Sequence, residues 1–150
     1  MLENVKATGS VKLVLSDALG NIKDIKEDHN LVVSTGKAFI AARMGSAASS
    51  VMSHMAIGTS STAESAAQTA LITQAGIVAL TSTTLITTTV ANDTIQYVAS
   101  FPAGTGTGAI TEAGLFNASS AGVMLARTVF SVINKGASDV LTITWKVTIA

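Results

Sequence analysis

The sequence predicts a mainly β, single-domain protein: an antiparallel β-sandwich, jelly-roll-like, with one short α-helix near residues 34–44. Three observations predict it. Apolar residues recur at every second position in several short runs, the period of a half-buried strand. Gly, Asn-Asp and Ser-rich breaks separate those runs, and one proline stands in 150 residues. Many short strands divided by turn signals assemble as sandwiches or barrels, whereas strands alternating with long helical patterns give parallel sheets.

Taken in chain order, residues 10–17 ("SVKLVLSD") place Val11, Leu13 and Leu15 on one face. "ALGN" then makes a turn, and residues 22–27 return as a second strand. In "VSTGKAFIAARMG", Ser34 is the expected N-cap, Phe39, Ile40 and Met44 form the apolar stripe, and Gly45 stands where a C-cap glycine would. "TAESAAQTAL" reads equally as a short helical turn or a small-residue loop. Residues 51–57, 77–90, 94–101, 110–116 and 123–130 are further strand candidates. The threonine load of "LTSTTLITTTV" fits extended structure, because β-branched side chains are stiff at χ1 and pack well on a pleat. Residues 141–149 ("LTITWKVTI") alternate most cleanly and put Trp145 in the core.

The run "PAGTGTGAITEAGLFN" raises a choice between a phosphate cradle and a corner. A phosphate loop needs a Lys and a helix start as well as glycines. No Lys or Arg lies between Val98 and Ala126, and the glycines lead into an apolar strand pattern, so the loop is expected to turn the chain between two strands. Beyond it, a hairpin centred between Ser119 and Ser120 would set Glu112 across from Arg127, Phe116 across from Val123 and Leu115 across from Met124. An opposite-charge cross-strand pair contributes roughly 0.2–1 kcal/mol. A hairpin apolar on both faces must be central in the fold or covered by another subunit.

Size and charge narrow the function. A chain of 150 residues has the length of one domain and buries about 68–70% of its unfolded surface, enough for a core without staples. Residues 1–150 therefore read as one domain, with no repeat or linker. There is no cysteine, which excludes disulfides and thiolate chemistry. Nine basic and nine acidic residues give a net charge of +0 with no basic patch, which argues against nucleic acid as a partner. No run nears the roughly 18 apolar residues of a membrane-spanning helix, and "MLENVKATGS" lacks the apolar core of a secretion signal. With charged residues at only 12%, the surface is either thinly charged or covered by partners.

Catalytic signatures are missing. His29 and His54 lack second ligands at metal spacing, and Asp24, Glu27 and Asp28 are interleaved with Lys23 and Lys26 as a solvated face. No G-x-S-x-G elbow or calcium loop occurs. The sequence therefore points away from an enzyme and from any cofactor or metal, toward a structural or binding role.

"HNLVVSTGKAFIAARM", "MAIGTSSTA" and "GAITEAGLFNASSAGVMLARTVFSVINKGASDVLTITWKVTI", which span most of the chain from His29 onward, resemble small virion structural proteins of tailed bacteriophages. The resemblance implies a virion component made in the bacterial host cytoplasm. It is expected first as a decoration or cement protein on the head exterior, a homo-oligomer such as a trimer contacting major capsid protein. The alternative is a tail or tail-fibre component that binds a host receptor, a carbohydrate or a protein. One Trp and one Tyr leave few aromatic platforms for sugars, and no heptad stretch or fibre repeat is present. The expected contact regions are the N-terminal segment 1–8, with Met1, Leu2, Glu3, Asn4 and Val5 foremost, and the small-residue loop 46–50.

Overall fold

A computed structural model describes residues 3–45 and 49–150. Ten strands and one helix follow in the order β1 (Ala7–Ser16), β2 (Ile22–His29), β3 (Leu31–Val32), α1 (Ser34–Gly45), β4 (His54–Gly58), β5 (Gln74–Ala79), β6 (Ser82–Ile86), β7 (Thr94–Phe101), β8 (Gly108–Phe116), β9 (Met124–Lys135) and β10 (Val140–Ile149). They form two antiparallel five-stranded sheets, the first in the order β2-β1-β10-β7-β6 and the second in the order β3-β9-β8-β4-β5. This is the expected antiparallel β-sandwich with its single helix.

The first sheet is built from the sequences that alternate. β10 pairs β1 on one side and β7 on the other, so that Trp145 stands between Val11 and Tyr97, and Ile143 between Leu13 and Ala99. Leu13, Ile143 and Trp145 are completely buried, while the intervening Lys12, Thr142, Thr144 and Lys146 keep solvent contact. The shared core is completed from the second sheet by Met55, Ile57, Ile110, Leu115, Leu125 and Ile133.

The chain changes sheets at short corners. At Asn30, between β2 and β3, the side-chain oxygen accepts a hydrogen bond of 2.8 Å from the indole N–H of Trp145, so the one buried indole donor is satisfied by the residue that turns the corner. The turn after β1 is held by Asp17, whose carboxylate accepts from the Leu19 and Asn21 amides, with Gly20 at φ 85. Between β7 and β8, Gly104, Gly106 and Gly108 all have positive φ. The glycine run carries the chain from one sheet to the other, as its lack of local cations implied.

Several boundaries differ from the sequence expectation. The strand expected over residues 51–57 begins only at His54. The run expected as one strand over residues 77–90 is two strands in different sheets, broken around Leu80 and Thr81. The segment "TAESAAQTAL" is a loop with a turn closed by Gln68 N–H donating to the Ser65 carbonyl. The first α1 hydrogen bond runs from Lys37 N–H to the Val33 carbonyl, so Val33, not Ser34, takes the cap position. Phe39 and Ile40 pack on the core, but Met44 is 83% exposed and leaves the expected stripe. Gly36 is the contact that seats α1: a Cβ there would collide with the Leu125 carbonyl of β9.

Candidate functional site

Glu112 on β8 and Arg127 on β9 lie on the same face of the second sheet, and both side chains are fully buried. Their register is two residues from the expected one. Arg127 stands opposite Gly114 and Glu112 opposite Val129, so the two meet on a diagonal. Phe116 is opposite Met124 rather than Val123, and Leu115 opposite Ala126 rather than Met124. The bulge at Leu115/Phe116 supplies one residue of the shift, and a turn that sets Asn117 against Val123 supplies the other; a second bulge, between Ile110 and Glu112, lies beyond the pair, and none of these has a signal in the sequence. A shift of two keeps every side chain on its face, which is why the charge pair survives it.

The pair is the centre of a larger network. Arg127 donates from Nε and Nη2 to Glu112 Oε2 at 3.0 and 2.8 Å. Its Nη1 donates to the Thr62 carbonyl at 2.9 Å and to Gln68 Oε1 at 3.1 Å. Glu112 also accepts from the amides of Ile72 at 3.0 Å, Thr73 at 2.8 Å and Ser60 at 3.4 Å. Glu64 Oε1 accepts the Val129 amide at 2.7 Å. Apart from the two Arg127–Glu112 bonds, each of these ties the segment over residues 59–73 down onto the second sheet. Leu71 from that segment joins Val33, Ala56, Phe116 and Met124 in a second apolar cluster. Gly58 leaves the room this requires, because a Cβ there would strike the Thr73 carbonyl and the Glu112 carboxylate.

This arrangement resolves the hairpin that is apolar on both faces. β8 is central in its sheet, and the outer face is covered by the chain's own segment 59–73 instead of by another subunit. The sequence reason for expecting an assembly at that face is therefore removed. Neither side chain of the pair reaches solvent, and the Glu112 carboxylate is met by the guanidinium and by three backbone amides.

Several other ionisable groups are also engaged in bracing. At the end of the sandwich near the glycine run, buried Lys135 donates to the Pro102 carbonyl at 2.9 Å, and burial lowers its pKa while Asp139 opposes that shift. Asp139 accepts from Lys23 at 2.7 Å and from the Gly136 amide at 2.7 Å, and those bonds hold its carboxyl below the ordinary value. The glycine run thus meets a lysine distant in sequence, but its ammonium is buried against a backbone carbonyl. Asp93 accepts from the Thr88, Thr89 and Val90 amides and is held well below the ordinary carboxylate value. His29 is exposed at the end of β2, and half-buried His54 shares a 2.8 Å bond with its sequence neighbour Ser53. Among the described residues, no three His, Asp or Glu side chains cluster as metal ligands.

Of the expected contact residues, Glu3, Asn4 and Val5 are exposed, and Val5 is 74% so. Met1, Leu2 and residues 46–48 lie outside the described residues. Val5 lines an apolar cleft of about 860 Å³ at the open end of the sandwich, where α1 roofs the inner face of the first sheet. Phe39, Ile40, Leu85, Tyr97 and Ile149 belong to its apolar wall, and the Tyr97 hydroxyl is pushed up to about 12 by burial. Sequence reasoning missed this cleft because it is assembled from six separate elements and the segment before β1.

No helix among the described residues is long and apolar enough to cross a membrane. Comparison with known proteins finds no match: no family model, no curated protein and no solved structure matches the chain.

Proposed function

We propose that the chain is a structural protein of a tailed-phage virion, acting as a decoration or cement protein on the outside of the head. The observation that carries a passive role is the use of buried charge: Glu112 and Arg127 are sealed beneath residues 59–73 and hold that segment in place. A rigid body of this kind binds a shell by shape and area, and many copies multiply a modest contact into strong retention. The virion assignment rests on the resemblance of residues 29–150 to small phage structural proteins. Exposed Glu3, Asn4 and Val5 support an N-terminal contact with major capsid protein.

A tail or tail-fibre role is the second reading. The apolar cleft under α1 favours it, because receptor-binding modules present concave sites whereas a cement protein needs none. Immunogold labelling of phage particles with antibody against the chain separates the two. Gold over the heads is the expected result. Gold confined to the tail would overturn the decoration reading, and unlabelled particles would overturn both.

A further inference from the structure

The two lateral sides of the sandwich differ in charge. On one side the first sheet ends in β2, which carries Lys23, Asp24, Lys26, Glu27 and Asp28. Asp24, Lys26 and Asp28 stand opposite Leu15, Leu13 and Val11, the core-facing residues of β1. Charges pointing inward from an edge strand block the addition of another strand, because a neighbour would have to bury them. On the other side the first sheet ends in β6, and β6 has none of these protections. Residues 65–92, which contain both β5 and β6, carry no charged side chain and no proline. Four of the five β6 residues are exposed, Leu85 at 57%, and among the described residues no strand pairs their outer edge.

We propose that β6 is the self-association edge of the protein, pairing antiparallel with β6 of a second copy about a two-fold axis. The opposite edge is blocked, so a head-to-tail chain of copies through the first sheet cannot form, and an isologous contact is what remains. An isologous contact brings the residue on the axis against its own counterpart, which makes a charge there repulsive, and β6 has none. Centring the axis on Thr84 uses the whole strand, setting Ser82 against Ile86 and Thr83 against Leu85. Leu85 of each copy then continues the apolar wall of the cleft under α1 toward the partner, so the free backbone edge and the apolar surface beside it are covered together. β5, the uncharged edge of the second sheet, is the weaker candidate because three of its six residues are already half-buried. The inference is independent of the virion reading and would hold for a β-sandwich of any function.

Two sets of variants test it on the full chain. Thr84 is exposed and makes no side-chain hydrogen bond among the described residues, so substitution there leaves the fold intact. Light scattering after size exclusion should give a dimer for the native chain and a monomer for both Thr84→Lys and Thr84→Glu, each repelling itself across the axis. Mixing those two variants should restore the dimer. The chain has no cysteine, so a single introduced thiol reports cleanly: Thr84→Cys should oxidise to a covalent dimer, and Glu27→Cys on β2 should remain monomeric under the same oxidant. A native monomer, a Thr84→Lys dimer, a mixture that stays monomeric or cross-linking through position 27 would each overturn the proposal.

Discussion

The outer faces of the two sheets are built on opposite plans. The first sheet presents Thr142, Thr144, Lys146 and Thr148 to solvent, alternating with a fully apolar inner face. The second sheet has no such alternation over β8 and β9: Glu112, Gly114, Phe116, Met124 and Arg127 are buried on its outer face as completely as Leu115 and Leu125 on its inner one. A strand that faces water on one side can be recognised by its period, whereas a strand covered on both sides loses that period. The second sheet therefore needs a cover, and the chain supplies one from a loop that has almost no secondary structure of its own.

The sharpest way to break this contrast is to remove one partner of the buried pair. Glu112→Ala leaves the Arg127 guanidinium uncompensated and frees the Ile72 and Thr73 amides; urea unfolding should show a loss of about 3–5 kcal/mol. Truncating the apolar half of the cover is the next test. Leu71→Ala should cost about 2–3 kcal/mol, toward the lower end for a buried Leu because the site borders solvent. Adding a methyl group at Gly36 drives α1 off β9, for which about 1–3 kcal/mol of thermal destabilisation is expected.

Titration in acid sharpens the account elsewhere in the molecule. The folded Asp139 carboxyl is lowered by the Lys23 bond and the Gly136 amide, so its stabilising contribution is complete above the unfolded carboxylate value and disappears as pH falls through the folded one. Unfolding midpoints should drop between about pH 5 and pH 2, with a shallower acid limb in Asp139→Asn. On the solvated face of the first sheet, Thr144→Val should change stability by no more than about 0.5 kcal/mol. A loss as large as that of Leu71→Ala would mean that this face, too, is covered.

The legible part of the fold was the part with period. Residues 141–149 and the pairing class of the first sheet followed from alternation alone, and residues 94–101 are found as expected. The ion pair of Glu112 with Arg127 was also legible, since opposite charges flanking a turn signal predict a cross-strand pair whichever of two same-face registers forms. The bulges were not, because an extra residue leaves no compositional mark. The cover was not either. Residues 59–73 are small and polar, and what fixes them is three backbone amides and one carbonyl meeting side chains about 40 to 65 positions away in sequence. Long-range backbone satisfaction of that kind has no local pattern. The β6 edge lies between these cases: absence of charge over residues 65–92 is visible in the sequence, but its meaning depends on knowing that β6 ends a sheet.

Native-state hydrogen exchange of the Ile72 and Thr73 amides, compared between the native chain and Glu112→Gln, reads out the clamp itself. If the buried pair clamps residues 59–73, both amides should exchange as slowly as those of β8 in the native chain and lose protection in the variant, while β1 and β10 stay protected. Fast exchange at Ile72 and Thr73 in the native chain would contradict the clamp and leave the outer face of the second sheet without its cover.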